Sequence, residues 1–199
     1  LEEKSGYLPE LESIDTQGVK MMIINYPHMP TGTVASLEAL ERIVDFCRKN
    51  KILLLNDNPY GFIRNSEPVS LLQVEGAKDV AMELNSLSKS HNMAGWRVGM
   101  LAASEQRITE VLRFKSNMDS GMFLPLRLAA ATALGLGSEW YENLNSEYYR
   151  REKIGMQIFD ALGIEYAENQ AGLFLWGRLP EGKNCYEFCD WLLYEKGVF

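Results

Sequence analysis

Two short segments carry side chains able to do chemistry. In SLSKSHNMAGWRVG, Ser86 to Gly99, Lys89 stands between Ser88 and Ser90, with Ser86 before them and Arg97 eight positions on. In NDNPYGF, Asn56 to Phe62, Asp57 and Tyr60 set a carboxylate and a phenol close together. A lysine amine can act as a nucleophile or move a proton, and hydroxyls with an arginine fork suit a phosphate dianion. Taken singly, each residue has a plainer reading. An arbitrary lysine is a solvated surface charge, and Asp57 and Tyr60 lie in a run rich in turn formers.

The elements around them change that balance. Val19 to Asn25, VKMMIIN, is a short apolar run that stops at YPHMPTG, where prolines and a glycine forbid continuation, and it reads as a buried strand ending in a rigid turn. SLEALERIVDFCRKN follows with apolar residues at helical spacing, Ser36 placed to cap the start, Glu38 in the first turn and Arg48 and Lys49 in the last. KILLLNDNPYGF is a second apolar run, breaking at Asp57, Asn58 and Pro59. Strand, helix, strand in this order is a parallel crossover unit, and such sheets carry ligands at the carboxyl ends of their strands. Further strands are expected at Val80 to Leu84 and Val98 to Ala103, with the lysine segment as a loop between them. Asp57, Tyr60 and Lys89 then all lie just past strand ends, on one rim.

Helical pattern runs through EQRITEVLRFK, is interrupted at SNMDSGMFLP, resumes in LRLAAATALGLG, and extends through SEWYENLNSEYYRREKIGMQIFDALG to a stop at Gly163. Beyond it AGLFLWGRLP alternates like a strand, and NCYEFCDWLLYEKG has Asn184 and Glu187 in capping-box positions with Gly197 as a stop. The fold class expected is α/β, a mostly parallel sheet with flanking helices, plus the beginning of a smaller α+β domain. The domain change falls in the long helix, giving residues 1–137, a helix over 138–163, and residues 164–199.

Composition narrows the function classes. The chain has 199 residues, 46% hydrophobic and 24% charged, enough to build a globular core. A formal net charge of -7 with scattered lysine and arginine argues against a nucleic-acid surface. Cys47, Cys185 and Cys189 lack metal-ligand company and read as reduced, partly buried thiols, so no metal site is expected and a cytoplasmic location is. No run approaches the length of a membrane span.

At every patterned position, SLSKSHNMAGWRVG resembles the lysine signature of the class I and II aminotransferases, a branch of the fold-type I pyridoxal-phosphate enzymes. DNPY resembles that family's aspartate and tyrosine pair, NYPHMPTG its asparagine, proline, threonine and glycine turn, and order and spacing agree across essentially the whole chain. The resemblance implies pyridoxal 5′-phosphate as cofactor and amino-acid and 2-oxo-acid substrates. Lys89 would join the cofactor aldehyde and later move the proton at the substrate's α-carbon. Asp57 would pair with the protonated pyridine nitrogen, and Tyr60 would donate to the phenolic oxygen. Ser86, Ser88 and Arg97 would hold the phosphate. Asn25, Pro27, Pro30 and Gly32 would shape the turn, Trp96 would pack beneath the loop, and His91 would stabilise the loop or be solvated. SNMDSGMF resembles the part that reaches a neighbouring subunit, which implies a homodimer.

The chain departs from the family at Met29, where the family has an asparagine that donates to the cofactor's phenolic oxygen. Methionine cannot donate, and neighbouring His28 is the available substitute. By the same resemblance, the glycine-containing phosphate loop, the aromatic residue that stacks on the cofactor and the arginine that binds the substrate carboxylate would lie outside these residues. The chain is therefore expected to be an internal piece of a longer enzyme and inactive alone. The alternatives are a pyridoxal-phosphate carbon–sulfur lyase of the same fold and a regulatory or binding module that keeps the fold without activity.

Overall fold

A computed structural model describes residues 1–199. Its main sheet has four strands in the order β1 (Met21–Ile24), β2 (Leu53–Asp57), β3 (Ala81–Ser86) and β4 (Gly99–Ala102). β1, β2 and β3 are parallel, with Ile24 beside Asn56 and Asp57 beside Leu84. β4 returns antiparallel to β3, with Gly99 beside Ser86. This is the mostly parallel sheet with flanking helices that the apolar runs imply.

Helix α1 (Leu37–Asn50) makes the crossover between β1 and β2. Ser36 caps it by accepting from the Ala39 amide at 3.1 Å, and Lys51 closes it in the left-handed conformation. Leu40, Ile43, Val44 and Cys47 form its buried stripe and pack with Ile24, Ile52, Leu54 and Leu71 into the main core. Burial raises the Cys47 thiol to about 11, so it stays protonated. Leu37, at the start of the helical pattern, is exposed. A buried polar link stiffens the same layer: Glu83 accepts from the Asn56 amide group at 3.1 Å and from the Leu71 backbone amide at 2.7 Å.

The short helix α2 (Ala77–Val80) leads into β3, and α3 (Leu87–Ser90) follows it directly. The lysine segment is thus not a plain loop: it holds α3 and then a single 3-10 turn at Ala94–Trp96. Three helices come after β4: α4 (Glu105–Met118), α5 (Leu124–Leu134) and the long α6 (Ser138–Leu162), which stops at a left-handed Gly163. α4 runs on through SNM, so the break between α4 and α5 is confined to residues 119–123. A two-stranded antiparallel sheet of β5 (Glu165–Tyr166) and β6 (Gly177–Arg178) precedes α7 (Cys185–Lys196). AGLFLWGRLP is therefore strand only at Gly177 and Arg178. At α7, Asn184 accepts from the amides of Tyr186 and Glu187, and Cys185 and Cys189 are exposed rather than partly buried. No helix is long and apolar enough to cross a membrane, and no three histidine, cysteine or acidic side chains group as metal ligands.

Candidate functional site

The site forms where the ends of three parallel strands meet the start of the antiparallel one. Past β1, the chain turns at Asn25, whose side chain accepts from the Met29 amide at 2.8 Å and donates to the Asp57 carbonyl. Gly32 ends this turn at φ +70°, and a Cβ there would lie 2.6 Å from the Gln170 Cβ and 2.9 Å from the Ala171 carbonyl oxygen. Only glycine combines that backbone with so close an approach. Past β2, Asn58 donates its amide to the Leu84 carbonyl at 2.8 Å, and Asn85 donates back to the Asn58 carbonyl at 3.0 Å. The ends of β2 and β3 are thereby locked side by side, with the exposed Asp57 on their rim.

Tyr60 is buried within this arrangement. Its hydroxyl donates to the Met29 sulfur at 3.3 Å, and the Phe174 ring meets its ring edge-on with centroids 5.9 Å apart. Burial first, and the nearby Asp57 charge second, raise the phenol above its usual 10.0. Tyr60 therefore remains a protonated donor at neutral pH.

The lysine is aimed by the helix that carries it. Ser86 caps α3 by accepting from the Ser88 amide at 3.1 Å. Residues 87, 90 and 91 fall on one side of such a turn and 88 and 89 on the other. Leu87 is buried against Met93, Val98, Ala130 and Ala133, a small core shared with α5. Ser90 and His91 face α6: Trp140 donates from its indole to the Ser90 carbonyl at 2.8 Å, and the His91 ring stacks on Trp140. Burial lowers the His91 pKa below 6.5, keeping the ring neutral. With that face committed, Ser88 and Lys89 are left half-exposed on the opposite face.

β4 starts where β3 ends, which returns Arg97 to the same rim. Leu87 donates its amide to the Val98 carbonyl at 3.2 Å, and a Cβ on Gly99 would lie 2.9 Å from the Asn85 carbonyl oxygen. Arg97 is exposed and uses one guanidinium nitrogen on the Ala94 carbonyl at 2.9 Å, leaving the rest of the fork open. The structure so gathers Asp57, Tyr60, Ser86, Ser88, Lys89 and Arg97 at one end of one sheet. His28 does not substitute for an asparagine donor through its δ nitrogen, which is paired with the Thr31 hydroxyl at 2.8 Å. Trp96 is 48% exposed, so it does not pack beneath the loop.

Residues beyond these motifs close the site from the other side. Gly172 donates its amide to the Ile63 carbonyl at 2.8 Å, and Ala171 donates to the Gly32 carbonyl at 2.8 Å. Arg64, buried, donates to the Gly172 and Phe174 carbonyls at 2.9 Å each and pairs with Glu152 of α6. No local pattern in GFIRNS marks Arg64, since its partners lie 88 to 110 positions further along the chain. A surface groove of about 940 Å³ lined by Phe62, Pro68 and residues of α6 touches none of the rim residues.

A family model, aminotransferase class I and II, matches residues 4–199. LL-diaminopimelate aminotransferase from Natranaerobius thermophilus is 39% identical over all of this chain, which covers 53% of that protein. Apo-BacF from Bacillus subtilis superposes with a TM-score of 0.93 at 34% identity, covering 100% of this chain and 54% of that one. Aspartate aminotransferase from Thermotoga maritima gives a TM-score of 0.85 at 28% identity, covering 98% and 52%. The chain thus spans about half the length of the curated relatives it matches.

Proposed function

Because this chain belongs to the class I and II aminotransferases, a family dependent on pyridoxal phosphate, we propose that the protein moves an amino group from an amino acid to a 2-oxo acid with that cofactor. The observation that supports this most is the meeting of amine, carboxylate, phenol and guanidinium at one rim, delivered by separate strand ends. The residues fit the cofactor chemically: neither the Asp57 carboxylate nor the Lys89 amine is bonded to another side chain, and Arg97 has most of its fork free.

Bound pyridoxal phosphate supplies an aldehyde that takes the amino group and a cationic ring that accepts the electron pair left at the substrate's α-carbon. Asp57 holds the proton on the ring nitrogen with its carboxylate. Tyr60, whose single hydroxyl proton rests on the Met29 sulfur, would turn it to the phenolic oxygen, a role its raised pKa suits. Ser86, Ser88 and Arg97 hold the phosphate, the arginine by its fixed fork. Lys89 would hold the aldehyde through its amine and would move the proton at the substrate's α-carbon.

We read residues 1–137 as part of a large cofactor-binding domain, 138–163 as the helix joining the domains and 164–199 as part of a small domain. The apolar side chains that α4 and its following turn expose, Phe114, Met118 and Phe123 among them, support assembly as a homodimer. The 199 residues expressed alone are expected not to transaminate. The test uses the full-length protein loaded with pyridoxal phosphate and given LL-diaminopimelate first, then other amino acids. A transaminase converts the cofactor to its pyridoxamine form, and a 2-oxo acid restores the original absorbance. Release of thiol and ammonia without that conversion would instead establish the carbon–sulfur lyase.

A further inference from the structure

Arg64 combines features that a surface arginine does not have. Its side chain is 3% exposed, its backbone sits at φ +46°, and every polar contact it makes crosses to a distant part of the chain. Asn145 of α6 accepts from the Arg64 amide at 2.7 Å and donates to the Phe62 carbonyl at 3.0 Å, which fixes the backbone at the end of the Tyr60 turn. The guanidinium then spreads in three directions. Nε donates to the Gly172 carbonyl, Nη2 to the Phe174 carbonyl, and Nη1 pairs with Glu152, itself 13% exposed. Burial lowers the guanidinium's pKa and the Glu152 charge opposes that, and the arginine stays charged.

What the fork holds is one wall of the Tyr60 pocket. A Cβ added to Gly172 would lie 3.5 Å from the Tyr60 Cβ, so the Gly172 backbone packs directly on Tyr60. Phe174 lies edge-on to the same ring. The Met29 sulfur, in the turn after β1, accepts from the phenol hydroxyl. The Tyr60 ring is thus bounded by a segment more than a hundred residues away, and that segment's two carbonyls end on a single side chain. No regular strand partner replaces these bonds, because β6 begins only at Gly177.

We propose that Arg64 is a positioning residue: by gripping the Gly172 and Phe174 carbonyls it fixes the wall that aims the Tyr60 hydroxyl at the cofactor. This rests on the reading of Tyr60 as a cofactor-binding residue. A bidentate fork is essential to the role, since a lysine could keep the charge beside Glu152 but could not reach both carbonyls in one plane.

The test compares Arg64→Lys with Glu152→Gln in the full-length protein. In the absence of cofactor, hydrogen exchange of residues 170–176 should rise about tenfold in Arg64→Lys, the amides of Ala171 and Gly172 being the reporters. With pyridoxal phosphate bound, Arg64→Lys should shift the pH midpoint of the visible absorbance and slow turnover about tenfold. Glu152→Gln, which keeps the fork, should change both far less. If Arg64→Lys does not fold, the double variant Arg64→Met, Glu152→Gln removes the buried charges together and must show the same exchange and the same shift. Loosened exchange with an unmoved midpoint and unmoved turnover would reduce Arg64 to a stabilising contact, and unchanged exchange would refute the grip itself. A wild type that takes up no pyridoxal phosphate would sink the site reading and this role with it, which is distinct from a wild type that binds while the variants leave its midpoint in place.

Discussion

The strands with α1 and the helices that follow β4 are built on different terms. In the first region apolar side chains from α1, β1, β2 and the 71–81 stretch close into one core, with Leu54, Val44 and Ala81 wholly excluded from water. In the second, α4, α6 and α7 bury no residue, and α4 presents Leu112, Phe114 and Met118 outward. α6 is fastened instead by a few directed bonds, Trp140 to Ser90, Asn145 to Phe62 and Arg64 to Glu152. Asp57 and Tyr60 follow a strand of the closed core, whereas Lys89 and Arg97 are backed by the smaller cluster of Leu87, Met93 and Val98 that α5 shares. Rigidity beneath the rim thus comes from packing, whereas the wall over Tyr60 comes from hydrogen bonds.

The largest effect should come from separating chemistry from packing at the rim. Lys89→Ala removes an amine whose side chain contributes nothing to the core, so turnover should fall by roughly 10²- to 10⁴-fold or more while the melting temperature stays put. Borohydride reduction of the loaded wild type followed by peptide mapping should place the label on Lys89. A label on another lysine would overturn the assignment.

A core probe and a surface probe sharpen the contrast next. Leu54→Ala empties a fully buried position and should cost about 2–5 kcal/mol in urea unfolding. Leu112→Ser on the 53% exposed face of α4 should change the same measurement on the 199-residue chain by no more than about 0.5 kcal/mol. In the full-length protein it should weaken self-association. Equal costs for the two substitutions would mean that the second region has a core of its own.

A smaller change is expected at Met29, which accepts the Tyr60 hydrogen bond with a thioether. Met29→Asn introduces the amide donor that the family resemblance implies at this position. With a bond of about 1 kcal/mol, the pH midpoint of the bound cofactor's absorbance should fall by less than about one unit. An unchanged or raised midpoint would show that another donor already serves the phenolic oxygen.

The smallest effect concerns the seam between the regions. Burial depresses the His91 pKa below 6.5, so the unfolded chain binds that proton more readily than the folded one. Its contribution is complete above the unfolded value and is lost as pH falls below about 6.5 toward the folded one. His91→Gln should flatten the fall of stability on the acid side of that value, as measured by urea midpoints at a series of pH values. A slope identical to wild type would mean that His91 is not held neutral at the seam.

Much of this was legible before any coordinates. Apolar runs ending in proline and glycine placed β1 and β2, Ser36 and the trailing basic residues bounded α1, and Gly163 stopped α6 where the pattern does. The helix α3 was not, because LSKS is too short to show a period and is held by Leu87 and by contacts with α6. AGLFLWGRLP alternates as a strand does, yet its first residues spend their backbone groups on Gly32, Ile63 and Arg64 rather than on a neighbouring strand. The rim residues could be read because strand ends are local signals. Arg64 could not, since nothing within GFIRNS points to partners that arrive a hundred residues later.

The antiparallel course of β4 keeps Ser86, Ser88, Lys89 and Arg97 on one stretch of chain. Had β4 run parallel to β3, a crossover would have been needed, and the residue entering β4 would have lain at the opposite end of the strands. By doubling back, the chain delivers hydroxyls, lysine and arginine to one edge from fourteen consecutive positions, Ser86 to Gly99. A single uninterrupted peptide therefore supplies these side chains together, and their order and spacing do not depend on the length of any other connection in the chain.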